Sequence, residues 1–170
     1  MKNITLFCSI VLLSLMSVRM AAAQPPKGAF SFSAETRYAA PLGAGDEFSS
    51  IDIDAVFGYH FNGRWSIFVP VTGATGLFDV SGVRSYETTV LAGVGFEYNI
   101  ISNPRYTLGL SPRVQAAVCG DWKHLSYDVG LRWRWASSPY VGLGVRYIDN
   151  YDSPFKNRCC LYVAFGFTLF

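Results

Sequence analysis

Glu35 and Arg37, Asp52 and Asp54, and Arg132 and Arg134 are charged pairs set two residues apart, and Glu87, Glu97, Arg113, Asp128 and Arg146 fall on the same alternation. In an extended chain a spacing of two puts side chains on one side of a strand. The spacing therefore predicts a shared face on which six acids meet five arginines, with His60 among them. A guanidinium offers a carboxylate a planar, bidentate fork, so the chemistry expected is a network of ion pairs. A narrow or gated conduit lined by the same charges is the alternative. His60, placed beside Asp52 and Asp54, reads as a satisfied interior residue. No spacing suits a metal or a phosphate loop, so no cofactor and no metal is assigned.

These side chains need strands to hold them, and alternation with period two recurs almost from end to end. In IDIDAVFGYHF, Ile51, Ile53, Phe57, Tyr59 and Phe61 share one face and Asp52, Asp54, Gly58 and His60 the other. The same pattern over 30–38, 51–61, 65–71, 88–98, 106–116, 125–135, 140–147 and 161–169 predicts eight strands in an all-β chain. Their connections alternate in length. A tight type I′ turn is expected at Asn62-Gly63, and short turns at Ser102-Asn103-Pro104 and Ser137-Ser138-Pro139. The connections over 40–50, 72–85, 117–124 and 148–158 are mostly longer. Short turns at one end and longer loops at the other fit an outer-membrane barrel, turns periplasmic and loops outside the cell.

Lys2, an apolar run over 4–18 and the small residues Ala21, Ala22 and Ala23 predict a secretory signal peptide over 1–23, cleaved before Gln24. The run is too short for the roughly 20 residues of a spanning helix. One domain over 24–170 is expected. Of the fourteen basic residues, Lys2 and Arg19 belong to the leader, which leaves twelve against twelve acids. That balance, without a clustered basic face, gives no ground for a nucleic-acid partner.

A soluble eight-stranded barrel also alternates, with its oily face turned inward. Here the charges and glycines decide for a membrane. Beyond the leader, lysines occur only at Lys27, Lys123 and Lys156, before the first strand or in loops, and Gly58, Gly93, Gly95, Gly109, Gly130, Gly142, Gly144 and Gly166 share the polar face. Small residues and paired charges suit the inside of a narrow barrel, which eight strands make just wide enough for side chains to fill. The oily face ends in Tyr59, Trp65, Tyr98, Tyr106, Trp133 and Trp135, an aromatic girdle of the kind found at membrane interfaces, with Tyr38, Tyr86 and Tyr147 for the opposite rim.

Residues 28–170 resemble the small eight-stranded outer-membrane barrels of the OmpA-like transmembrane type and the short Bacteroidetes outer-membrane barrels. The resemblance rests on the leader, strand-turn-strand units such as GYHFNGRWSIF, and a last strand ending in YVAFGFTLF. It implies a Gram-negative outer membrane, contact with outer-membrane lipid and lipopolysaccharide, and an assembly signal at Phe165, Phe167 and Phe170 that barrel-assembly machinery reads. Phe170 is out of phase with the oily residues of its strand, so either a bulge shifts the register or the signal is atypical.

Three functional classes follow. The first is a structural or surface-interaction barrel with a plugged interior and unassigned loop ligand, for which Trp122, Phe78 and Tyr151 are exposed candidates. The second is a narrow pore. In the third, His124-Leu125-Ser126 resembles the H-x-S element of lipid A deacylase barrels, in which histidine activates serine against an acyl ester. Tyr127-Asp128 follows where that family has Asn-Ala, and Ser126 faces inward by parity, so an enzyme is not expected. Cys119, Cys159 and Cys160 fall at outer loop ends, where a disulfide from Cys119 to Cys159 or Cys160 is permitted and three thiols are the alternative.

Overall fold

The computed structural model describes residues 27–43, 48–80, 83–135, 139–151 and 155–170. The expected leader over 1–23 and its cleavage point lie outside the described residues, as do Ser137 and Ser138 of the third expected turn. Eight strands follow in order: β1 (Ala29–Pro41), β2 (Phe48–His60), β3 (Trp65–Val80), β4 (Val83–Ser102), β5 (Tyr106–Gly120), β6 (His124–Trp135), β7 (Pro139–Asn150) and β8 (Arg158–Leu169). Each pairs antiparallel with the next, and β8 pairs back onto β1 from Phe32↔Leu169 to Pro41↔Cys160, so the sheet closes into a barrel without an edge.

Alternation dictates which residues fill it. Along β6, His124, Ser126, Asp128, Gly130, Arg132 and Arg134 are buried while Tyr127, Val129, Leu131, Trp133 and Trp135 are exposed. The polarity is inverted relative to a soluble domain: the outer wall is apolar, with Phe30 78%, Ile53 67%, Val94 65% and Phe165 63% exposed. Charge is inside.

The strands run further toward the loop end than the sequence predicts. The expected loop over 72–85 is strand on both sides, paired up to Val80↔Val83, and the expected loop over 117–124 shrinks to 121–123. Glycine and aspartate in Thr72–Asp79 resemble loop composition, yet Thr72, Ala74 and Phe78 keep the inward alternation. Gly76 is small for a packing reason: a Cβ there would lie 2.7 Å from the Phe78 ring and 2.9 Å from that of Trp122. The length contrast between the two ends is correspondingly weaker than expected.

The turn at Asn62-Gly63 is also different. Four residues, Phe61 to Arg64, separate β2 from β3, and Gly63 is not among the glycines with positive φ that a type I′ turn requires. Instead the Asn62 Oδ1 accepts from the backbone N–H of Arg64 (2.8 Å) and Trp65 (2.9 Å). Asn103 repeats the device, accepting from Arg105 (3.0 Å) and Tyr106 (2.9 Å). Both are side-chain mimics of a backbone turn.

Candidate functional site

Register assembles the interior. Glu35 lies opposite Asp54 and Arg37 opposite Asp52 across β1 and β2; Arg113, Asp128 and Arg146 line up across β5, β6 and β7. Arg37 is the centre: its Nε is 2.6 Å from Asp54 and 3.4 Å from Glu35, and its terminal nitrogens reach Asp52 at 3.5 Å and Asp128. Arg146 grips Asp128 with two nitrogens (2.8 and 3.1 Å) and Asp52 with a third (2.5 Å). Arg113 adds Glu35 at 2.7 Å and Asp54 at 3.4 Å. Toward the turn end, Arg132 bridges Glu35 (3.1 Å) to Glu97 (3.3 Å), and Arg134 ends the chain on Glu97 (3.1 Å).

Among the described residues five arginines and five carboxylates are thus buried together. Neutral partners complete the set. The Tyr140 hydroxyl donates to Glu35 (2.8 Å), Thr72 donates to Asp54, and the Gln115 amide donates to Thr72 (2.6 Å). Aromatic rings fill what remains. Arg37 and Arg146 lie 5.8 and 5.7 Å from the Tyr162 ring, and Arg132 lies 5.3 Å from Phe68 and 5.2 Å from Tyr140. Glycines opposite make room: a Cβ on Gly130 would fall 2.2 Å from the Tyr162 hydroxyl, and one on Gly95 2.4 Å from the Phe68 ring. Sequence reasoning missed Thr72, Gln115, Phe68, Tyr140 and Tyr162 as members, although all occupy the inward parity.

Two predicted members lie elsewhere. Glu87 is half-buried near the loop end and accepts from Ser85 Oγ (3.2 Å), outside the ion-pair cluster. His60 is at the turn end rather than beside Asp52 and Asp54; its Nε2 is 2.9 Å from Ser31 Oγ and its ring 5.3 Å from that of Phe170.

Above the charges, toward the loop end, the interior holds an aromatic cluster. Phe48, Phe78 and Trp122 meet at 5.0 to 5.7 Å, and Phe155 stacks on Phe78 at 3.7 Å. The Trp122 indole donates to Asn150 Oδ1 (2.8 Å). Trp122 and Phe78 are therefore buried, contrary to their expected place on the surface, because they point into the barrel; Tyr151 is exposed. Trp122 also stacks on His124 at 4.0 Å, whose Nδ1 is 3.3 Å from the Trp122 carbonyl oxygen. His124 and Ser126 are both buried inside the barrel, away from the apolar wall, and Ser126 Oγ has no hydrogen-bond partner among the described residues. That is not the geometry of a serine activated against membrane lipid.

No protein-family model and no curated protein matches the chain. Among solved structures it is similar to the outer membrane protein OprG from Pseudomonas aeruginosa, at 12% identity over 86% of this chain and 98% of that one, with a TM-score of 0.48. It is also similar to the de novo designed TMB2.3, at 11% identity over the same shares, with a TM-score of 0.41.

On the outside, Trp65 packs on Tyr98 (4.5 Å), Tyr106 stacks on Trp133 (4.7 Å), Trp133 meets Trp135 (6.4 Å), and Tyr59 meets Phe30 (5.1 Å), all near the turns. Tyr38, Tyr86 and Tyr147 are exposed toward the loop end. Phe165 is on the outer wall, and the β8 register is continuous on both sides, so no bulge moves Phe170 onto that face. Phe170 follows the strand end and turns its ring to His60; Phe167, half-buried, lies opposite Ala34. No disulfide joins Cys119, Cys159 and Cys160: Cys119 and Cys159 are exposed on β5 and β8, strands that do not pair, and Cys160 is buried. Such a bond needs Cα atoms within about 7 Å and converging Cβ vectors.

Proposed function

We propose that the chain is a small outer-membrane barrel protein, exported by its leader and cut before Gln24, with an interior sealed by side chains. Its role is structural or one of surface interaction. The observation that carries this reading is the inverted polarity: ten buried charges within and a wall of bare Phe, Ile, Leu and Val without. Water-facing strands would reverse it, whereas a bilayer requires it. Outer-membrane lipid and lipopolysaccharide then contact the wall, the barrel-assembly machinery reads the β8 segment with Phe165, Phe167 and Phe170, and the exposed residues left for a partner are at the loop end, Val83, Tyr86 and Tyr151 among them.

Two measurements test the proposal. The folded protein should run anomalously on a detergent gel until boiled. In planar bilayers it should be silent; reproducible conductance steps that vanish in Arg132→Ala would replace the sealed barrel by a pore.

A further inference from the structure

The turn end of the interior is built differently from the middle. Its layer holds two guanidiniums, Arg132 and Arg134, and one carboxylate, Glu97. Glu35, the other acid Arg132 reaches, is already paired with Arg113 at 2.7 Å and Arg37 at 3.4 Å. Arg134 reaches Glu97 through one nitrogen alone; its Nε and Nη1 are buried without a hydrogen-bond partner among the described residues, and so is His60 Nδ1. Arg134 and His60 line a cavity of about 20 Å³, together with apolar residues such as Phe68 and the polar Ser31, Ser66, Glu97 and Arg132.

We infer that this cavity is a binding site for one small monatomic anion, chloride under physiological conditions. A buried guanidinium costs several kcal/mol unless its charge and its N–H groups are matched. The interior as a whole is balanced, but this layer sets two guanidiniums against one carboxylate. Water would satisfy the free N–H groups alone, whereas a halide accepts the same hydrogen bonds and also lies in the local excess of guanidinium charge. The volume admits a single particle of about water size, which excludes phosphate and carboxylate ligands. Arg134 and Arg132 keep 4% and 7% of their side chains exposed, so the site is not cut off from solvent.

The test uses the full folded barrel in detergent, with thermal unfolding followed in sodium chloride and in sodium gluconate at equal ionic strength, gluconate being too large for the cavity. Chloride should raise the midpoint saturably, by about 3 °C for occupancy well above the dissociation constant. Arg134→Gln should lose that difference, while Arg64→Gln, on an exposed turn, should keep it. Equal midpoints in the two salts, or a chloride effect that survives Arg134→Gln, would overturn the assignment. Bromide-soaked crystals of the unmutated protein supply a readout independent of how the variant folds. An anomalous peak beside the Arg134 guanidinium supports the site, and its absence, with water alone in the cavity, refutes it. Heat-modifiability is read separately, so failure here leaves the membrane reading untouched.

Discussion

Arg37 touches four carboxylates drawn from three strands, Glu35, Asp52, Asp54 and Asp128. Such a residue matters less for what it adds than for what its loss exposes. Without it, acids packed within a few ångströms of one another in a buried interior have too few cations. Arg37→Ala is expected to cost about 3–5 kcal/mol, the usual result of stranding one half of a buried ionic set. Glu87→Gln, at the half-buried rim, should stay within about 0.5 kcal/mol. Urea unfolding of both variants in lipid vesicles checks the contrast, and similar midpoints would mean that the cluster does not stabilise the barrel. The charges were legible because each sits on a strand with strict alternation. Their partners were not: Tyr140, Tyr162 and Phe68 look like any other aromatic, and only the closed register brings Tyr162 against Gly130 and Gly144.

Elements were legible where alternation was unbroken, and their ends were misjudged where composition overrode it. The turn at Asn62-Gly63 shows the cause. Asn-Gly carries the sequence signal of a type I′ turn, but here the asparagine side chain supplies the turn and the glycine keeps an ordinary backbone. Gly63→Ala should therefore be neutral, since nothing lies within 4 Å of an added Cβ. Gly120 is the opposite case. Its φ is +113°, it follows the register shift between β4 and β5, and an added Cβ would fall 2.5 Å from the Thr88 carbonyl oxygen. Gly120→Ala should cost at least about 1 kcal/mol. Unfolding midpoints of the two variants separate them; a costly Gly63→Ala would restore the left-handed turn. Likewise 72–80 and 83–85 are strand because β3 and β4 gain a cross-strand pair with every further residue up to Val80↔Val83, a gain that local composition cannot register.

At the scale of the whole molecule the barrel is inside out, and a substitution is judged by the side it faces. Leu143 is exposed on β7, opposite Leu131 and Val163 of its neighbours. In a bilayer, Leu143→Arg should cost about 2–4 kcal/mol. Tyr151→Arg, beyond the strand end, should cost little. A soluble barrel would show the reverse order or none, which refolding into vesicles against urea decides.

The sealed interior that we propose is likewise a property of the assembled barrel, because two layers of packed side chains stand in series. The cluster of Phe48, Phe78 and Trp122 fills the interior toward the loop end, and below it the ion pairs around Arg37 and Arg146 span the interior from β1 and β2 to β6 and β7. An ion crossing the barrel has to pass both. Trp122→Ala alone should therefore stay electrically silent, although it empties a large fully buried site. Trp122→Ala combined with Arg37→Ala should give conductance steps in planar bilayers, measured on protein whose gel shift shows that it is folded. Steps in Trp122→Ala alone would mean that the charged layer is permeable and that the aromatic cluster is the whole of the closure. Silence in the folded double variant would mean that Arg113, Arg132 and Arg146 close the interior without Arg37, and that the barrier is spread over the layer rather than centred on one guanidinium.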